Sequence, residues 1–394
     1  MKRIVDSTLI FLIAIVAAIS VTVVILYFQL RTDQVSTMRD SQDVLRMVIV
    51  LHDDGEPVLT AVLFIESESA RIAILDVPEN IGTVIPGESK IDSISTMFDP
   101  DDPGPYQIMV SSLIGQEIPW YLVFSLEQMQ GFIDLIGGVE LFVINDYRET
   151  GADDPILLPS GNVVLDGPKA IAFLTATTVA EREIERIGRK QSFIHALIRA
   201  IQNENSFLNH PEVVPFRQDS VATNLDRRSF SSMIDLLSGG DVDQIIRRRV
   251  QGTLRRVDVG GTSKELLFPH FEGQWLQQSV RQIEEALVED VVITDEAAVI
   301  RIEILNGTAI AGFARRTSEL FEEYGFEVRR FGNADSDDVE HTIIIDRRGY
   351  PGYAARVAGV IRARNIVSDF DADGDVDVSI ILGKDFDGTV VRTE

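Results

Sequence analysis

The stretch Phe124–Val143, FSLEQMQGFIDLIGGVELFV, constrains the fold more than any other part of the chain. Phe124, Met129, Phe132, Ile133 and Ile136 recur near helical spacing, which gives a helix with one buried face. Gly137 and Gly138 stop that helix, because glycine enters a left-handed backbone without steric cost. Val139, Leu141 and Val143 then alternate as a strand. A helix handed directly to a strand is a joint of an α/β domain, and the rest of the chain has to supply the other strands.

It does so upstream. Met47–His52, Val58–Ser67 and Ala70–Pro78 are short runs rich in β-branched residues, separated by turn residues. Asp99–Pro105 (DPDDPGP) holds three prolines and a glycine and reads as a loop. Helices are expected at Ile108–Ile114, Gly167–Ala176, Arg186–Gln202, Leu225–Leu237 (with Asn224 as cap) and Trp275–Leu287, with a further strand at Trp120–Phe124. Ile245–Val259 reads as strand or helix followed by strand. After an acidic join a second pattern begins: strand Val299–Leu305, helix Gly312–Tyr324, strands Phe326–Phe331 and His341–Arg347, helix Tyr353–Ala363, strand Val376–Gly383. That order is β-α-β-β-α-β, a small two-layer sandwich. The expected fold class is therefore α/β, with a layered core and a small C-terminal domain. The expected divisions are 1–31, an N-terminal end with a transmembrane helix; 32–46, a stalk; 47–287, the core; 288–297, a linker; 298–386, the small domain; and 387–394, a tail.

Ser7–Leu30 carries no charge and is long enough, at about 1.5 Å per residue, to cross a hydrocarbon core of roughly 30 Å. Lys2 and Arg3 precede it, which places the short end in the cytoplasm and the bulk outside. A cleaved signal peptide is the alternative, but the apolar run is longer than such a core and no small-x-small site follows it. The expected location is a bacterial inner membrane, by a single pass. Lys plus Arg number 36 against 62 Asp plus Glu, a net charge of −26, and phosphate backbones repel such a chain, so nucleic acid is not an expected partner. The absence of cysteine removes thiol catalysis, disulfides and thiolate metal sites.

Three stretches taken in order, Phe124–Val143, LDGPKAIAF (Leu165–Phe173) and RIGRKQSFIHAL (Arg186–Leu197), resemble the LytR-CpsA-Psr family of membrane-anchored cell-envelope proteins. ILNGT, the small-residue helix after it, GFEV and the final strand ending in Gly383–Asp385 resemble the C-terminal domain that often follows that core. The resemblance implies transfer of a phosphoglycan from a polyprenyl pyrophosphate to a peptidoglycan hydroxyl, with Mg2+. Arginines would clamp the phosphates and carboxylates hold the metal. The sequence departs from the family at charged positions. The family's Ser-Ile-Pro-Arg-Asp corresponds to Asp76–Asn80, with Glu79 where the arginine stood. Its Arg-x-Asp-Thr corresponds to Pro57–Thr60, and its Tyr-x-Arg-x-Arg to Phe173–Thr177. Arg186, Arg189, Lys190 and Gln191 are what the resemblance leaves as an anion-binding set, with Glu183 and Asp54 as the remaining candidate metal ligands. A solvated basic helix face is the plainer reading of the first three.

Three readings follow. The leading one is a degenerate family member that binds or scaffolds in wall or surface-glycopolymer assembly, touching an envelope glycan, a polyprenyl-linked precursor or a protein partner, with weak or no catalysis and no cofactor. The second is an active ligase using Mg2+; metal-dependent turnover lost in Arg186→Ala would distinguish it. The third, a transcription regulator, leaves too few residues before Ser7 to build a DNA-binding module. Other signals are weaker. Asp369–Asp375 (DFDADGD) copies the opening of a calcium loop, but Ile380 stands where the bidentate Glu belongs, so an acidic hairpin loop is expected. His52, His195, His210, His270 and His341 have no metal-ligand spacing. Arg247–Arg249 with Arg255 and Arg256 reads as a solvated edge.

Overall fold

The computed structural model describes residues 15–17, 19–20, 22, 33–87, 90–143, 147–148, 156–176, 183–242, 245–250, 252–288, 300–348, 351–369, 371 and 374–388. The expected membrane helix at 7–30 and the linker thus fall almost wholly outside the described residues. Among the described residues no helix is long and apolar enough to cross a membrane.

The core is built on strands β1 (Val44–Asp53), β2 (Glu56–Glu66), β3 (Ile72–Asp76), β4 (Trp120–Ser125), β5 (Ala222–Thr223) and β6 (Ile246–Arg249). They form one mixed sheet in the order β5-β4-β1-β2-β3-β6. β1 pairs antiparallel with β2 and parallel with β4, and β3 pairs parallel with β6. Alternation divides the side chains cleanly between two faces. Leu45, Met47 and Leu51 point to one, and Val44, Val48 and Val50 to the other.

Around the sheet lie α1 (Gln34–Arg39), α2 (Gly104–Ile114), α3 (Leu126–Leu135), α4 (Gly167–Thr175), α5 (Glu183–Asn203), α6 (Arg227–Ser238) and α7 (Gln274–Val288). Three boundaries differ from expectation. Phe124 lies inside β4, which ends at Ser125, and α3 starts after Ser125, whose hydroxyl accepts from Gln128 N–H while the Gln128 side chain accepts from Ser125 N–H. That capping box fixes the turn. α2 takes in Gly104 and Pro105 from the proline-rich loop, since proline fits a first helical turn. α6 is capped by Asp226, which accepts from two backbone N–H groups, while Asn224 bonds Tyr121 and Pro119. The glycine pair behaves as expected: Gly137 and Gly138 have φ of +78° and +102°, and the chain turns there into the strand Val139–Val143.

The C-terminal domain has strands β7 (Arg301–Asn306), β8 (Glu327–Asn333), β9 (Ile343–Asp346), β10 (Asn365–Ser368) and β11 (Val378–Leu382), with helices α8 (Phe313–Glu323) and α9 (Pro351–Ile361). Sheet order is β8-β7-β11-β9-β10. The expected β-α-β-β-α-β therefore lacks one element: β10, an edge strand only four residues long, too short to show a period. Ile302, Ile304, Ile344 and Ile380 pack under the helices with Phe313 and Phe321.

Candidate functional site: an apolar cavity with a self-paired polar end

Sheet face and helices leave a cavity on one side of the core. It is narrow, with about 60 Å3 open to the centre of a water-sized sphere, and it is partly open to solvent. Its walls are apolar: Met47, Leu51 and Leu63 from the sheet, Met129 and Phe132 from α3, Phe230 and Met233 from α6. α5 adds Phe193, Ile194, Leu197, Ile198 and Ile201, a stripe at helical spacing.

Lys190 precedes that stripe by one turn on the same face of α5. Its Nζ lies 2.5 Å from Glu79 Oε1. Asp76, last residue of β3 and on the cavity face, is 3.3 Å from Arg249 Nε. Burial pushes the Asp76 carboxyl up to about 6, against the pull of Lys190, Arg249 and Arg186. Beyond the apolar lining, one turn up α5, two acids and two bases are thus paired with one another and make a polar end outside the cavity wall proper. A dianionic headgroup entering there would have to break both pairs before meeting any net positive field.

Of the four basic and polar candidates, Arg186 and Lys190 share a helix face and both act on Asp76, while Arg189 and Gln191 turn elsewhere. Arg186 is exposed on the first turns of α5. Arg189 donates to the Ala176 carbonyl. Lys190 is held by Glu79, and Gln191 is buried and turned toward the C-terminal domain, where it bonds Ser368. The three family segments account for the rest: Thr60 is fully buried and shares a 2.9 Å hydrogen bond with Tyr106 on the opposite face of the sheet. Asp54 stands exposed at the β1–β2 turn with φ +44°. The Glu183 side chain lies outside the described residues.

The run Arg247–Arg249, expected as a solvated edge balancing nearby acids, lies in β6, the edge strand beside β3, where Arg249 meets Asp76. The edge is only half exposed, and that follows from pairing, which a run of arginines does not reveal. The signal was there in Ile245 and Val250, both buried, which bracket the run as strand ends. Among the described residues no three His, Asp or Glu side chains are grouped to hold a metal. The one buried carboxylate here, Asp76, faces cations. In the acidic hairpin, Arg347 donates to Asp369 (2.6 Å) and Arg348 to the Asp371 and Gly374 carbonyls.

Residues 61–270 match the LytR_cpsA_psr family, and residues 299–386 match a domain described as LytR cell envelope-related transcriptional attenuator. No curated protein matches the chain. Among solved structures, TagV of B. subtilis is 15% identical with a TM-score of 0.52, covering 62% of this chain and 97% of that one. The gbs0355 protein of Streptococcus agalactiae is 11% identical, TM-score 0.52, covering 65% and 91%. Lin1025 of Listeria innocua is 15% identical, TM-score 0.50, covering 62% and 99%. At these identities the likeness establishes the fold.

Proposed function

The chain belongs to the LytR-CpsA-Psr family, and from that premise we propose that it binds a polyprenyl-linked envelope precursor during cell-wall glycopolymer assembly, with little or no transfer activity. The observation that carries this reading is the contrast inside one site. A cavity lined by Met47, Phe132, Phe193 and Leu197 suits an isoprenoid tail, each buried methylene contributing about 0.8 kcal/mol. Its polar end, by contrast, is closed by Lys190–Glu79 and Asp76–Arg249. Glu79 occupies the position where the family resemblance calls for an arginine, and it neutralises the lysine that remains. Losing one charge-assisted phosphate contact costs about 1.5–3 kcal/mol, and losing several removes orders of magnitude in rate.

In this reading Ser7–Leu30 anchors the protein in the cytoplasmic membrane with the core outside, where lipid-linked glycans are handed over. The C-terminal domain serves as an interaction module. A role in transcription is not favoured, since a chain with a net charge of −26 is repelled by phosphate backbones.

The test is a pair of assays on purified full-length protein in detergent. Undecaprenyl phosphate should bind and raise the melting temperature. Incubation with polyprenyl-pyrophosphate-linked glycan, peptidoglycan and magnesium should give no product above background. Turnover that Arg186→Ala abolishes would restore the ligase reading. Absence of lipid binding would remove the cavity's assigned role.

A further inference from the structure

The chain's own C-terminal domain covers the start of α5. Edge strand β10 of the small sheet lies beside edge strand β6 of the large one and against α5. Gln191 Nε2 donates to the Ser368 carbonyl at 2.8 Å, and Gln191 Oε1 accepts from Ser368 N–H at 3.0 Å. One side-chain amide gives that edge what a further strand would give it. Ile187 packs among Ile343, Ile345 and Val367, on the face of the small sheet opposite α8 and α9. Gly188 permits the approach, because a Cβ there would meet Val367 Cγ2 at 2.8 Å. On the β6 side, the Arg247 guanidinium is drawn out of water, which lowers its pKa, and the Asp346 charge opposes that shift. Toward the other side, Arg364 lies over the Phe142 ring, 5.6 Å from its centre. The contacts thus fall on α5 within one turn of Lys190, on the helix that also gives Phe193, Ile194 and Leu197 to the cavity wall.

We propose that the docked C-terminal domain is a latch on the polar end of the cavity, opposed by a ligand with an isoprenoid tail and a phosphate head. This rests on the reading of the cavity as a lipid site. Gln191 is adjacent to Lys190 on the same helix, and its donor and acceptor are both spent on Ser368. A phosphate that draws the first turns of α5 toward itself pulls Gln191 from Ser368 and loosens the domain. Linkage makes the effect reciprocal: a domain held docked weakens the ligand by the same factor that the ligand weakens docking.

The chain has no cysteine, so one engineered pair reports without interference. A Cβ at 188 lies 3.9 Å from Val367 Cβ, inside the disulfide range of about 3.5–4.5 Å. Full-length protein carrying Gly188→Cys and Val367→Cys is oxidised, and farnesyl phosphate and undecaprenyl phosphate binding is measured before and after reduction. The intrachain disulfide is expected to form readily, and the oxidised protein to bind undecaprenyl phosphate about tenfold more weakly than the reduced one. Gln191→Ala, which frees the edge without filling it, is expected to bind more tightly than the unsubstituted chain and to expose the Ser368 amide to hydrogen exchange. Failure of the disulfide to form overturns the docked arrangement. Equal affinity before and after reduction overturns the latch while leaving the lipid reading in place. A formed disulfide with no lipid bound in either state defeats the lipid reading and the latch with it.

Discussion

On the face of the core sheet that carries Val48, Val50, Val62 and Phe64, helices α2 and α7 close over the strands and Tyr106 fills the middle. On the reverse face, Met47, Leu51, Leu59 and Leu63 look across to α3, α5 and α6, and space is left between them. The strands are the same and the alternation of apolar side chains is equally regular on both sides. What differs is the cover. The lesson is that burial and filling are separate properties: Leu63 and Phe64 are both fully buried, but of the two it is Leu63 that lines this cavity. A packed interior tolerates neither loss nor gain of volume, whereas a cavity wall tolerates gain.

Four substitutions test that contrast. Phe64→Ala, on the filled face, is expected to lower the unfolding free energy by about 3–5 kcal/mol in urea denaturation; a loss under about 1 kcal/mol would mean the face is not packed as described. The next effect lies at the end of the cavity face. Asp76 has its folded-state pKa raised from 3.8 to about 6, so the folded protein holds its proton more tightly than the unfolded chain. Stability from this group is complete below pH about 4 and is lost as pH rises through about 6, a fall on the order of 3 kcal/mol. Asp76→Asn should flatten stability across that window, and an unchanged slope would show the carboxylate to be ordinary. Ala73→Leu, on the filled face, should cost about 1–3 kcal/mol. Ala61→Leu, one strand away but on the cavity wall, should cost close to nothing while weakening lipid binding. If thermal melts find those two alanine substitutions equally damaging, the faces do not differ.

Much of this was legible in the sequence. Phe132, Ile133 and Met129 announced α3, Gly137–Gly138 its end, and the small-residue stretch around Gly167 a helix, because each signal is local. The strands β1 to β3 were visible as β-branched runs. The two kinds of feature that escaped are both non-local. β10 is four residues whose only mark is that they complete an edge, and Arg249 is a charged residue whose partner, Asp76, lies far away in the chain. The candidate site fared similarly. Arg186, Arg189, Lys190 and Gln191 were picked out as a group by their nearness on one helix. Only two of them stay together, because residues four apart on a helix share a face while those at successive positions point about 100° apart. Arg186 and Lys190 both act on Asp76; helical rotation sends Arg189 to a carbonyl and Gln191 to another domain.

The bond between Gln191 and Ser368 carries a consequence for the protein's life in the cell. A proteolytic cut that separates the two domains would leave β10 as a bare rim whose peptide groups seek another strand, and the nearest supply is a second copy of the same fragment. Fragments of the small domain are therefore expected to be stickier than the intact chain, which makes an uncut chain its own safeguard against clumping.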